Sequence, residues 1–296
     1  MNKLTIIFLA LVLLSSTACK KETQDLKPSG LDKNWLVITD NPSDSLDHLI
    51  YTVYTATGVP IYYKDTVGSE QRGKDVYGNP IIYYETLDPF YSLTGTLNGA
   101  YCVPSQDRNN LMLGVKMLRD KVIPLLTPAT APKSFYLVDS IWTSAYATAN
   151  VYRGYKTTVI AQMNVLGTFS DSDITTLAGT IGGGEVAAYL VANYPLDLQK
   201  FYNVSNSLYQ YGMYNKFEGP YAIPMATGNG EEFGFISVTL YFPGTYQTPT
   251  QVADVSSYIV AIKTVAEADF RAQYANAPLV LQKYDLMKDL LTAHKL

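Results

Sequence analysis

A chain of 296 residues with 22 basic and 26 acidic side chains carries a formal charge of −4, which argues against a nucleic-acid partner, since that calls for a clustered basic surface. Its two cysteines, Cys19 and Cys102, make no disulfide framework. The 25 tyrosines against 2 tryptophans belong in strands or on a contact surface, where an amphipathic ring serves as core or as handle.

Residues 1–18 read as a signal peptide. Lys3 gives the positive start, residues 4–14 an apolar run too short to span a bilayer, and Ser16-Thr17-Ala18 the small residues before cleavage. Cys19 follows at once and the arrangement resembles a bacterial lipobox, with Ser16 where leucine is usual. Lipid on Cys19 would anchor the chain to a membrane. Without Lys3 the balance is 21 basic to 26 acidic residues, a net of −5, and Cys102 is left as a small buried hydrophobe. Residues 19–43, polar and punctuated by Lys27-Pro28-Ser29-Gly30, read as a tether between lipid and a domain at 44–296.

Within that domain Ser43 or Asp44 caps a helix with Leu46, Leu49, Ile50, Val53 and Tyr54 at helical spacing, and Gly58 ends it. His48 on this helix reads as a surface or packing histidine. Residues 59–64 and 80–85 read as strands, 87–106 as loop with room for short strands, and 108–126 as a helix broken by Pro124. Strands follow at 135–141 and 157–166. Ser170-Asp171-Ser172-Asp173 supplies caps and negative charge for a helix to about Asn193, before Pro195. Further expectations are a short helix at 197–202, loop at 209–223, a core helix at 231–241, a long helix capped by Thr248 or Thr250 reaching Tyr274, and a last helix at 279–294. The sum is α+β, with a mixed sheet in the N-terminal half and a mostly helical C-terminal half.

The helix after Ser170 organises the chain. It carries Gly182-Gly183-Gly184, each costing roughly 1 kcal/mol against alanine in a helix interior, and then Glu185-Val186-Ala187-Ala188. One reading is a small-residue face for close helix packing. The other is an H-E-x-x-H zinc helix whose histidine positions hold Gly184 and Ala188, with Glu185 at the place of the general base.

The flanking sequence favours the second reading. Leu46 to Tyr51 with Val59-Pro60-Ile61-Tyr62-Tyr63, then Ser134 to Ser140, Asn193-Tyr194-Pro195, Gly219-Pro220-Tyr221-Ala222 and Glu231-Glu232-Phe233-Gly234-Phe235 resemble, in order, segments of a family of zinc-binding metallopeptidase lipoproteins from Gram-negative bacteria. The resemblance spans roughly 46–291 and implies a zincin-like metallopeptidase fold and an outer-membrane address. Its ligand positions fall on Gly184, Ala188 and Phe235. Glu185 and Glu231 are retained, and Glu185, Glu231 and Tyr189 would line the old cleft. A catalytic zinc needs three protein ligands, so no metal or other cofactor is expected.

Other chemistries are no better supported. Residues 179–184 lack the lysine and hydroxyl residue of a P-loop, and no Gly-x-Ser-x-Gly elbow occurs. Adjacent Glu231 and Glu232 diverge by about 100° on a helix. The leading expectation is a catalytically inactive metallopeptidase-like surface lipoprotein that binds a polypeptide or glycan, as an accessory component of an outer-membrane nutrient-uptake or adhesion system. The alternatives are an active zinc peptidase using Glu231, Glu232 or Asp197, and a purely structural lipoprotein.

Overall fold

A computed structural model describes residues 33–91, 100–143, 150–209, 211–217, 229–242 and 245–296. The chain divides into two units, 1–34 and 35–296, and the architecture below is that of the second. Leu36 and Ile38, which the sequence places in the tether, pack against the sheet.

Helix α1 (Ser45–Thr57) starts where Asp44 accepts the backbone N–H of Leu46 and Asp47, and stops at Gly58, whose φ of 74° suits a residue without Cβ. Strand β1 (Ile61–Tyr62) follows, then β2 (Thr66–Lys74) and β3 (Pro80–Thr86), which pair as a separate antiparallel hairpin. Strand β2 was not expected. Its sequence, TVGSEQRGK, shows no alternation because both its faces are largely open to solvent. β4 (Tyr101–Pro104) is a short strand of the kind allowed for in the loop stretch 87–106.

The helix expected over 108–126 has the expected extent in three geometries: α2 (Arg108–Met117), a π-turn (Leu118–Val122) and a 3-10 turn (Ile123–Leu125) that contains Pro124. Then come β5 (Ser134–Trp142), β6 (Val151–Arg153) and β7 (Thr157–Ile160). The sheet runs β1-β5-β7-β6, parallel at the first two pairings and antiparallel at the last, while β4 runs antiparallel to the second half of β5. The unit is thus mixed α+β with a mixed sheet.

Helix α3 (Asp171–Asn193) begins with a capping box, in which Ser170 Oγ accepts from the Asp173 N–H and the Asp173 carboxylate accepts from the Ser170 N–H. It is long and apolar enough to cross a membrane by composition, yet its apolar length is packed into the protein. Helix α4 (Gln199–Asn206) follows.

The core helix expected at 231–241 is not formed. The chain instead makes a 3-10 turn (Gly230–Phe233), reverses at Gly234 with φ of 76°, and enters a hairpin of β8 (Thr239–Phe242) and β9 (Thr245–Gln247). A glycine in the left-handed region ends a helical run, and the apolar run behind it is strand. The long helix to Tyr274 is likewise two, α5 (Gln251–Thr264) and α6 (Glu267–Gln273), parted by extended backbone at Val265 and Ala266. Thr250 caps the first. Helix α7 (Pro278–His294) closes the chain.

Two cores meet on α3. Its N-terminal half, through Leu177, Ala178 and Ile181, joins α1, α2 and one face of the sheet. Its C-terminal half, through Val186, Ala187 and Leu190, joins α4 to α7. The other sheet face buries Tyr62, Phe90, Tyr136, Val138 and Val159.

Candidate functional site

The glycine run of α3 is read by its neighbours. A Cβ on Gly182 would stand 2.8 Å from a methyl of Leu125, and one on Gly183 would stand 2.4 Å from a methyl of Val260 and 3.2 Å from the Ser256 carbonyl. These two positions let α3 lie close against the turn after α2 and against α5. Gly184 meets something different: a Cβ there would fall 1.7 Å from Nη2 of Arg153. The guanidinium lies in the space that a side chain at 184 would need.

Arg153 and Thr158 are direct partners across β6 and β7, so both side chains leave the sheet on one face, the face toward α3. Thr158 Oγ1 donates to Glu185 Oε1 at 2.9 Å. Arg153 Nη2 donates to the carbonyls of Thr180 and Ile181 at 3.0 and 3.2 Å. Arg153 Nε stands 3.1 Å from Glu185 Oε1 but makes no hydrogen bond, so that contact is an ion pair off the N–H axis. Burial pushes Glu185 up and draws Arg153 down, and their attraction opposes both. Arginine keeps its proton at any ordinary pH, so the pair is ionic whenever Glu185 is ionised.

The positions where the resemblance implies zinc ligands hold no donor. Ala188 is half-buried and offers a methyl group. Phe235 is fully buried. Among the described residues no three His, Cys, Asp or Glu side chains gather where they could hold a metal ion. The side chains present do not fit zinc: a cation, Arg153, already neutralises Glu185, the carboxylate that would have served as base.

The structure does not unite Glu185, Glu231 and Tyr189. Glu231 is exposed on the 3-10 turn, where Asn229 Oδ1 accepts its backbone N–H. Glu232 takes a bond from Asn229 Nδ2. Tyr189 is half-buried and meets Tyr194 edge-on at 6.0 Å, and Tyr194 stacks on His294 at 3.7 Å. His294 Nε2 in turn contacts Asp197 Oδ2 at 3.0 Å. Of these, Asp197 and His294 also line a groove of about 420 Å³ between α4 and α7, together with Lys200 and Leu290. His48 pairs with Asp40 at 2.8 Å on α1, as a surface histidine would. Cys102 is half-buried and its thiol is pushed up to about 11 by burial. Cys19 and residues 219–222 lie outside the described residues.

Sequence reading missed a second cluster. Lys283 of α7 and Asp254 of α5 form a wholly buried ion pair. Tyr214 Oη donates to the same Asp254 Oδ2 at 2.7 Å, and Lys283 Nζ lies 3.2 Å from Ser205 Oγ and 3.3 Å from Tyr214 Oη. Rings of Phe201, Phe235, Tyr258 and Tyr214 surround the ammonium at 4.3, 4.7, 5.2 and 5.5 Å. The signal was present: Val280, Lys283, Tyr284, Met287 and Leu291 share one stripe of α7, and all are buried.

Comparison with protein-family models, with curated proteins and with solved structures finds no match to this chain.

Proposed function

We propose that this protein is a catalytically silent, zincin-like surface lipoprotein of the outer membrane that binds a polypeptide or glycan in a nutrient-uptake or adhesion assembly. The observation that carries the silent half of this reading is Arg153, whose guanidinium occupies the space over Gly184 and neutralises Glu185. A helix with Gly184 and Ala188 at the ligand positions offers no side chain to hold the Lewis acid that would lower a water's pKa. Fold does not fix function, and a scaffold without its chemistry keeps its surfaces.

The groove between α4 and α7 suits the binding half. Its wall carries His294, backed by the stacked ring of Tyr194, with Leu290 as an apolar contact and Asp197 and Lys200 as polar ones. The test is to probe the full chain against peptide and glycan arrays, with His294→Ala and Lys200→Glu as paired variants, and to assay proteolysis with and without chelator. Array ligands weakened by both variants, with no chelator-sensitive cleavage, support the reading. Chelator-sensitive cleavage contradicts its silent half, and an absence of array ligands contradicts its binding half.

A further inference from the structure

The Lys283 cluster is built more closely than an ordinary core contact. Ammonium and carboxylate are fully removed from water and touch each other, held by three elements far apart in sequence: α5, α7 and the segment carrying Tyr214. Asp254 Oδ1 has no hydrogen-bond partner. A buried ion pair is favourable only when its remaining hydrogen-bonding capacity is met, and here half of the carboxylate is unmet. Four ring faces hold the ammonium in place, and Asp254 is 0 % exposed to water.

We propose that Lys283 and Asp254 are joined by an intramolecular amide, formed by condensation between Nζ and Cγ. The step begins with transfer of a proton from the ammonium to the carboxylate, giving a neutral amine beside a neutral acid. The Nζ lone pair then attacks Cγ, the Cγ–Oδ2 bond breaks, and Oδ2 leaves as water carrying the acid proton and one hydrogen from nitrogen. No electrons are gained or lost, and one N–H remains on the new amide. Tyr214 Oη is within reach of both reacting atoms, so it can give its proton to Oδ2 while taking one from Nζ.

Burial supports the first transfer, because it disfavours both charged forms. It draws Lys283 down to about 8 and pushes Asp254 up. Glu185 takes no part, and the cluster shares only Phe201 with the groove wall, so this inference does not rest on the proposed function.

The test is tryptic digestion of the denatured full chain followed by mass spectrometry. Trypsin cleaves after a free lysine and not after an acylated one. The expected product is a branched species joining 217–263 to 272–288, one water lighter than the two peptides together. Cleavage at Lys283 with both linear peptides at full mass would overturn the proposal. Digestion needs no folded protein, so Lys283→Met, which must abolish the branched species, serves as control even if it destabilises the chain. Tyr214→Phe is expected to lower the branched fraction several-fold, and an unchanged fraction would overturn the role given to its hydroxyl.

Discussion

At the scale of single residues, Arg153 and Glu185 decide what helix α3 can do. Arg153→Met would leave the Glu185 carboxylate in its buried site with only Thr158 as partner, at a cost of roughly 3–5 kcal/mol. That cost depends on pH with a definite sign. Burial sets the folded pKa of Glu185 above its ordinary 4.5, and Arg153 opposes the rise. A carboxyl raised in the folded state stabilises the fold below its unfolded pKa, and that contribution is lost as pH rises through the folded value. Removing Arg153 removes the main brake, so the variant should be nearly as stable as the parent near pH 4 and should fall behind it toward neutrality. Urea midpoints across that window check this, and a difference independent of pH would contradict it. The sequence singled out Glu185, as the relic of a general base and not as the partner of an arginine. Arg153 was not legible, because nothing local in the sequence joins a residue on β6 to Glu185, 32 positions further on.

At the scale of elements, α3 and α5 approach closely because Gly183 has no side chain. In an exposed helix, glycine to alanine gains about 1 kcal/mol. Here Gly183→Ala drives a methyl into Val260 and toward the Ser256 carbonyl, an overpacking worth about 1–3 kcal/mol of destabilisation. The sign alone decides: a Gly183→Ala protein that melts higher than the parent would show that the two helices do not meet as described. Removing the cap with Ser170→Ala should cost about 0.5–2 kcal/mol in the same assay. The ends of α1 and α3 were readable because caps and terminating residues are local. The turn at 230–234 was misread because Phe233, Phe235 and Ile236 fit a helical stripe as well as a hairpin approach, and only the positive φ of Gly234 separates them. Strand β2 carried no pattern, since pairing with β3 rather than burial defines it.

At the scale of the whole molecule, the two cores are joined through one helix. Leu177 and Ile181 belong to the sheet side and Val186 and Leu190 to the helical side, so neither core keeps its packing when α3 is lost. Unfolding of the unit should therefore be one cooperative transition. Trp142 on β5 and Trp35 against the β2–β3 hairpin report on the strands, and far-UV dichroism is dominated by the helices, so the two signals should move together in urea. Two separated midpoints would show independent halves. The α+β division was legible from where the strands and helices fall along the chain. The buried Lys283 and Asp254 were not, because a single charge in an amphipathic helix reads as surface until the partner helix supplies the opposite one.

An arginine stands where the resemblance would place metal chemistry. The most direct measurement is zinc content by elemental mass spectrometry on the full chain, purified without a histidine tag and dialysed against trace zinc. The account predicts far less than one zinc per chain. A stoichiometric zinc would contradict it, and would mean that Arg153 yields its place over Gly184 to a metal.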